Sequence, residues 1–321
     1  MVVSAILSPV RRVAGLLTLG YALLVFGFVF GAQWLATAYT SLRDRLVLAV
    51  VLGSAGSNLY AIGYYLIHRP ERTLGLLTGF NGLGTLIVLY TGVSLGYLLN
   101  LRGGWRRLTL PYLAVAFSAL LLTFSRGAWL GFLGMIATFA LINRCSRRWA
   151  VAGLLAVLLV LAGVPTVAER FLTSFQPSAN LSRLYIWRST LMMIKDYPLF
   201  GVGAGAFMHV YPRYVLPGAP EPVAAFAHNL FLQVLAEFGL VGFVVFVAIL
   251  GRVMWMSWQL ARTGNVFYQG IFAALVGVLI HQQVDIPIWG LEIGGAFWTM
   301  VGLVIALYHR ELGPGSTALA R

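Results

Sequence analysis

Long apolar runs recur along this chain and restrict the folds open to it. Nine segments consist almost entirely of apolar residues: 13–36, 46–66, 74–99, 109–124, 127–142, 149–164, 229–251, 266–283 and 291–308. A helix of roughly 20 apolar residues crosses a hydrocarbon core of about 30 Å. The pattern therefore predicts an all-α, polytopic membrane protein with about nine transmembrane helices.

The charge content supports this class and argues against nucleic acid as a partner. Only 10% of the 321 residues are charged, whereas soluble domains carry about 25%. The net charge of +13 comes from 22 basic and 9 acidic residues, and basic residues are typical of loops that stay in the cytoplasm. We therefore expect a lipid bilayer, and no nucleic acid, around this chain.

Polar residues gather in one long segment, residues 165–227. Basic residues cluster in the alternate loops 37–45, 100–108, 143–148 and 252–265, which predicts that these loops are cytoplasmic. The long loop then lies outside the cytoplasm, while nine spans leave the N-terminal topology open. We predict a single membrane domain over residues 1–321 with the extracytoplasmic loop 165–227 inserted between spans.

The run 109–142 is broken by one polar tripeptide, Ser125-Arg126-Gly127. As a single helix it would be about 51 Å long, too long for one crossing, so two helices that meet at the tripeptide are expected. Arg126 then lies at the outer boundary of the membrane. It either binds an anionic ligand or extends to the lipid headgroups.

Residues 181–195 of the long loop have the periodicity of an amphipathic helix. Arg183 and Trp187 fall on one face, while Arg188 and Lys195 share another. One helix cannot aim both arginines at the same small ligand, so one basic face suits a bound anion and the other suits lipid headgroups. Pro198 is expected to end this helix.

Three glycines follow the helix, at Gly201, Gly203 and Gly205. Glycines at this spacing allow backbone N–H groups to approach an oxyanion. The alternative is a flexible hinge in the loop, and the spacing alone does not separate the two.

His228 stands where the long loop meets the next apolar run. A histidine in that position suits proton transfer, although an interfacial histidine bonded to the backbone has the same pattern. Asn229 is a candidate N-cap, and Gly239 and Gly242 predict a small surface for helix packing.

Three acidic residues lie near these features. Glu237 is expected to be deep enough to need a structural partner, and Asp285 and Glu292 are candidates for lining the same outward cavity as His228. Histidine and cysteine residues do not have the spacing of a zinc site, so no metal site is predicted.

Taken in order, these motifs resemble a known family. They are Ser125-Arg126-Gly127, Arg183-xxx-Trp187, the segment 198–203 and His228-Asn229 followed by Gly239-xx-Gly242. The set resembles the O-antigen ligase and O-antigen polymerase superfamily of bacterial membrane glycosyltransferases over about residues 70–308. Phe80-Asn81-Gly82 and the segment 281–289 also look like family positions.

The resemblance implies transfer of a glycan from undecaprenyl diphosphate to an acceptor hydroxyl at the outer face of the bacterial cytoplasmic membrane. The acceptor is a glycolipid such as the lipid A-core of lipopolysaccharide, a polysaccharide or a protein. No cofactor is implied. His228 is then the general base of an inverting reaction, and Arg126 and Arg183 bind the diphosphate. Supporting roles fall to Arg188, Trp187, Gly201, Gly203, Asn229 and Asn81.

Family members usually have more spans, so the resemblance also implies that N-terminal helices of the family are missing from this chain. Within the family, a polymerase and a protein O-oligosaccharyltransferase are alternatives to a ligase. A small-anion transporter of the bicarbonate type and a purely structural membrane protein are the alternatives from other classes.

Overall fold

The computed structural model describes residues 1–38, 42–76, 78–101, 107–143, 169, 172–173 and 180–313, and these contain helices and turns but no β-strand. The α-helices are α1 Val2–Leu7, α2 Arg11–Ala38, α3 Leu42–His68, α4 Phe80–Asn100, α5 Thr109–Leu122, α6 Arg126–Ile142, α7 Leu181–Asp196, α8 Phe207–Val210, α9 Leu230–Arg262, α10 Val266–His281 and α11 Leu291–Leu312. Short 3-10 helices occupy Tyr211–Tyr214 and Pro287–Trp289.

Every predicted apolar run that falls on described residues coincides with a helix. Five helices are long and apolar enough to cross a membrane, namely α2, α3, α4, α9 and α11, while α5, α6 and α10 are shorter apolar helices. The predicted run 149–164 lies outside the described residues. The prediction of an all-α, polytopic membrane protein is confirmed.

The chain forms two compact units. The first comprises Met1–Gly27, Leu172–Arg252 and Gln282–Ile286. Its buried core draws on α1, the start of α2, α7, α8 and the start of α9, with Phe207 and Tyr211 as large members that are fully buried. This core holds the long polar loop against the first part of α9.

The second unit comprises Phe28–Phe171, Val253–His281 and Pro287–Arg321. In it α10 packs against α4 and α6. The approach is close because glycines face the contact: a Cβ at Gly96 would lie 2.8 Å from the Val266 carbonyl oxygen, and one at Gly131 would lie 2.6 Å from that of Gly277. Small residues at helix contacts are the usual device of membrane helix packing.

The predicted break at Ser125-Arg126-Gly127 is present. Helix α5 ends at Leu122 and α6 begins at Arg126. Ser125 caps α6 because its hydroxyl accepts a hydrogen bond from the Ala128 N–H at 3.4 Å. Phe124 turns the chain between the helices with φ 48°, a conformation that is uncommon for a residue with a side chain.

Candidate active site

His228 lies in a tightly held turn just before α9. Its φ is 51°, a left-handed conformation that histidine adopts more often than most residues. Asn229 caps the helix as predicted, since its Oδ1 accepts from the Leu232 N–H at 3.0 Å. The Asn229 amide also donates to the Gln283 carbonyl at 2.9 Å, and the Leu230 N–H donates to the Gln282 carbonyl at 2.9 Å.

The segment tied to this turn carries Asp285, which contacts two of the predicted site residues. Its Oδ1 lies 3.1 Å from His228 Nδ1, and its Oδ2 lies 3.9 Å from a terminal nitrogen of Arg183. The Asp285 side chain is 10% exposed, against 28% for His228 and 27% for Arg183. The structure therefore brings Arg183 and His228 to one carboxylate that lies 57 residues beyond the histidine.

This contact determines which ring nitrogen of His228 can act on a substrate. A carboxylate only accepts hydrogen bonds, so Asp285 favours the tautomer that carries its proton on Nδ1. The Nε2 atom is then left with a lone pair that can accept a proton. A histidine held in this way by a carboxylate is the arrangement of a general base.

Helix α7 presents the predicted faces. Arg183 is half-buried and Thr190 is buried, while Arg188 and Lys195 are exposed. The Arg183 Nε and the Trp187 Nε1, one turn apart, are buried and have no hydrogen-bond partner within the part of the chain that is described. Two donors of one face therefore remain for a ligand that accepts hydrogen bonds.

Asn81 and Arg126 belong to the second unit. The Ser125 hydroxyl donates to Asn81 Oδ1 at 2.7 Å, which joins the start of α4 to the residue before Arg126. Nearby, the guanidinium carbon of Arg72 lies 4.4 Å from the centre of the Phe80 ring. Whether Arg126 acts on the same ligand as Arg183 remains a prediction.

The glycine segment does not form the predicted oxyanion cradle. The N–H of Gly201 donates to the Tyr197 carbonyl at 3.2 Å, and that of Gly203 donates to the Glu237 carbonyl at 2.8 Å. These donors are therefore engaged by the chain itself. Both glycines have positive φ, and a Cβ at Gly201 would overlap the Glu237 backbone. Gly201 therefore allows close approach to α9, whereas a Cβ at Gly203 would meet the side chains of Ala14 and Ser8.

Gly239 also lies at the contact between the loop and α9, and it does not form the helix-packing surface that the sequence predicted. Gly239 interrupts α9 with φ 63° and ψ −170°, and a Cβ there would overlap the backbone of Leu199 and Phe200, which is a loop and not a helix. A Cβ at Gly242 would meet only the Phe238 side chain of its own helix. The spacing of the two glycines thus reflects a kink, since a positive φ cannot continue a helix.

Two tyrosines of the loop are unsuited to act as bases in place of His228. Burial and a hydrogen bond to Asp196 raise the pKa of Tyr214 to about 12, and its hydroxyl donates to the Asp196 carboxylate at 2.6 Å. Burial also raises the pKa of Tyr211. Both phenols therefore stay protonated at neutral pH.

Sequence reasoning underrated Asp285 and missed Gln233. Asp285 was expected only to line the cavity, because nothing in its local pattern points to His228. Gln233 stands four residues before Glu237, and its Nε2 donates to the Glu237 carboxylate at 2.9 Å. This contact confirms that Glu237 has a structural partner. The spacing of four on one helix face was the available signal.

Together, the fold and the site define a multi-pass helical membrane protein in which one largely buried carboxylate contacts both a histidine and an arginine. Residues 111–247 match the family model described as O-antigen ligase. This match supports a relation to the O-antigen ligase superfamily over that part of the chain, which includes Arg126, Arg183 and His228. No curated protein matches the chain.

The match supports glycan transfer of the ligase or polymerase type at a coarse level. It also supports a lipid-linked glycan donor and a multi-pass protein of the bacterial inner membrane. Asp285 lies outside the matched residues, and the three-dimensional structure shows its direct contact with His228.

Proposed function

We propose that this protein transfers a glycan from undecaprenyl diphosphate to an acceptor hydroxyl at the outer face of the cytoplasmic membrane, as an O-antigen ligase. The contact of one carboxylate, Asp285, with both His228 and Arg183 carries the proposal. It places a proton acceptor beside a cation that suits a diphosphate, and both groups lie within the family match.

His228 acts as the general base. Its Nε2 takes the proton of the acceptor hydroxyl as the oxygen attacks the anomeric carbon of the donor sugar. The new glycosidic bond forms while the bond from that carbon to the diphosphate oxygen breaks, and undecaprenyl diphosphate leaves. Attack from the side opposite the leaving group inverts the anomeric centre. Base catalysis of this kind contributes about 10²–10⁴-fold to the rate.

Arg183 stabilises the negative charge that develops on the leaving diphosphate. A guanidinium has five N–H donors in a planar fork that matches phosphate oxygens, and the ion pair with Asp285 at 3.9 Å engages only one edge of it. The buried Nε1 of Trp187 supplies a further donor on the same face. Arg126, at the start of α6, stays a predicted diphosphate ligand.

Undecaprenyl diphosphate without a sugar tests the binding role, because this probe does not depend on which glycan is native. Arg183→Ala should weaken its binding about 10–100-fold, as expected for the loss of hydrogen bonds between charged groups. Arg183→Lys should not restore it fully, because lysine lacks the fork. Arg213→Ala is the matched control, since Arg213 is an exposed arginine of the same loop. Equal affinity for Arg183→Ala and wild type would remove the diphosphate role.

His228→Asn tests the catalytic role with little disturbance of the turn, because asparagine tolerates positive φ. With undecaprenyl-diphosphate-linked O-antigen units as donor and lipid A-core as acceptor, we expect kcat to fall about 10²–10⁴-fold. Affinity for undecaprenyl diphosphate and the unfolding temperature should stay near those of wild type. Transfer at the wild-type rate would exclude His228 as the base.

The products of the same reaction identify the acceptor class. A ligase extends lipid A-core, a polymerase lengthens the lipid-linked glycan in the absence of lipid A-core, and a protein O-oligosaccharyltransferase needs a polypeptide acceptor. The three products differ from one another in mass and in the molecule to which the glycan is attached. Electrophoresis and mass spectrometry therefore distinguish the three activities.

A further inference from the structure

We propose that Gln233 and Glu237 are positioning residues that hold the His228 turn in its reactive geometry. This inference rests on the proposed function, since it concerns the same histidine. It assigns a role to the buried polar pair of the first turns of α9, which the reaction itself does not use.

A chain of two hydrogen bonds connects the pair to the turn. The Ala227 N–H donates to Gln233 Oε1 at 2.7 Å, and Gln233 Nε2 donates to Glu237 Oε1 at 2.9 Å. Gln233 is fully buried and Glu237 is 1% exposed. Buried polar groups are costly without partners, so this chain is a specific feature of the fold.

The chain of hydrogen bonds has a fixed direction. The Ala227 N–H can only donate, so the carbonyl oxygen of the Gln233 amide must face it. The NH₂ group of the same amide must then face Glu237, whose carboxylate accepts. The Gln233 amide cannot be inverted without setting two donors against each other at Ala227 and two acceptors against each other at Glu237.

Glu237 is itself anchored through its main chain. Its carbonyl accepts from the Ser4 hydroxyl at 2.7 Å and from the Gly203 N–H at 2.8 Å. The carboxylate therefore projects from a fixed point of α9, and Gln233 transmits that position to Ala227.

His228 is consequently fixed on both sides. Ala227 before it is held by Gln233, and Asn229 after it is held by the Gln283 carbonyl and by its cap of α9. The left-handed φ of His228 lies between these two anchors. If one of these anchors is lost, the backbone of His228 can relax to a negative φ. The imidazole ring then moves away from Asp285 and from the acceptor hydroxyl.

The proposal can be tested by changing the donor and acceptor groups of the Gln233 side chain. Gln233→Ala removes the chain of hydrogen bonds, and Gln233→Glu sets a second carboxylate against Glu237, which repels it. Each should lower kcat about 10–100-fold, the effect expected when a catalytic group is displaced by a fraction of an ångström to an ångström. The double variant Gln233→Glu with Glu237→Gln exchanges donor and acceptor and should recover most of the lost kcat.

Gln269→Ala is the matched control. Gln269 is also a buried glutamine whose side chain accepts a hydrogen bond, from Asn143 at 2.9 Å, but it lies in α10 of the second unit. Its loss should leave kcat near the wild-type value. Affinity for undecaprenyl diphosphate should stay unchanged in all four variants, because none of them alters Arg183.

A spectroscopic measurement separates positioning from general loss of structure and needs no substrate. In ¹⁵N-histidine-labelled protein in nanodiscs, the His228 signals, assigned by their loss in His228→Asn, should report the Nδ1–H tautomer. That signature should disappear in Gln233→Ala and Gln233→Glu and return in the double variant. A wild-type signature and kcat in Gln233→Ala, or a double variant no better than Gln233→Glu, would overturn the inference.

The same set of proteins separates this inference from the proposed function. If His228→Asn retains transfer, the base assignment fails whatever Gln233 does. If His228→Asn is inactive while Gln233→Ala and Gln233→Glu transfer at the wild-type rate, the proposed function stands and the positioning role fails.

Discussion

At the level of single residues, Asp285 makes two contacts that matter for the proposed reaction. Its two oxygens contact different groups, His228 on one side and Arg183 on the other, so one negative charge orients the base and limits the movement of the cation. Because Arg183 is only loosely paired at 3.9 Å, a diphosphate can compete for it without breaking the His228 contact. The carboxylate thus couples the binding group to the catalytic group.

Asp285→Asn should inactivate the enzyme while it remains folded. An asparagine has nearly the same shape, but its NH₂ group can face Nδ1 and favour the wrong tautomer of His228. We expect kcat to fall about 10²–10⁴-fold, as carboxylate-to-amide changes do in related histidine–carboxylate sites. Transfer kinetics and thermal unfolding in detergent would measure both properties.

Asp196→Asn is the matched control for this change. Asp196 accepts a hydrogen bond from the Tyr214 hydroxyl, and an asparagine there can still accept it. Its kcat should stay near the wild-type value. If Asp285→Asn also kept the wild-type kcat, Asp285 would have no part in orienting the base.

At this scale the sequence predicts those residues whose pattern is local. The position of His228 at a span boundary, the Asn229 cap and the separate faces of Arg183 and Arg188 all follow from spacing within a few residues. The pairing of His228 with Asp285 does not, because 57 residues separate them and several acidic residues had an equal claim from sequence alone.

At the level of elements, backbone hydrogen bonds connect the kinked helix α9 to the segment 198–203. Four bonds of 2.8–3.2 Å join them, with the donor given first: Leu240 to Pro198, Val241 to Leu199, Val202 to Ala236, and Gly203 to Glu237. The kink removes helix partners from these groups, and the loop segment supplies new ones. In this way the loop that carries Arg183 is fixed to the helix that follows His228.

Gly239→Ala tests this junction, with Gly251→Ala on the same helix as control. Alanine at Gly239 would incur about 1–3 kcal/mol for a backbone conformation, φ 63° and ψ −170°, that is essentially restricted to glycine, and an additional cost from overlap with Leu199. A Cβ at Gly251 meets nothing within 4 Å, and alanine favours helix by about 1 kcal/mol. Thermal unfolding in detergent should show a lower midpoint for Gly239→Ala only; equal midpoints would exclude a strained junction.

The sequence predicts the helices better than it predicts this junction. Apolar runs, the Ser125 cap and Pro198 mark helix boundaries through the chemistry of their own side chains. The backbone hydrogen bonds between α9 and the segment 198–203 leave no signal in the sequence except the glycines. Glycines are equally compatible with an anion-binding loop or a contact between helices. The predicted cradle at Gly201 and Gly203 was wrong for this reason, and Gly239 proved to be a kink residue.

At the level of the whole molecule, apolar surface and polar chemistry are segregated. Large apolar side chains of α2 and α9 are exposed, among them Leu16, Leu23, Phe26, Val244 and Val245. In water such surfaces would be costly, whereas in a bilayer they face lipid. The charged and hydrogen-bonded groups around His228 instead lie in the loop, at the start of α9 and in the segment 282–286.

The side of the membrane that this site faces can be measured across α9. The apolar part of this helix before Arg252, residues 230–251, spans about 33 Å at 1.5 Å per residue, enough to cross a hydrocarbon core of about 30 Å. Ala225 and Thr263 are exposed residues before and after this helix, so they should lie on opposite sides. The basic residues Arg252 and Arg262 predict that Thr263 is on the cytoplasmic side.

In a Cys145→Ser background, which removes the single natural cysteine, Ala225→Cys should react with a membrane-impermeant maleimide in intact cells. Thr263→Cys should react only after the cells are permeabilised, and a permeant maleimide should label both as the control for reactivity. Undecaprenyl-linked glycans are used at the outer face in the proposed reaction, so the donor can reach His228 only if Ala225 is the outer residue. The reverse labelling pattern would put the base in the cytosol and exclude the proposed reaction.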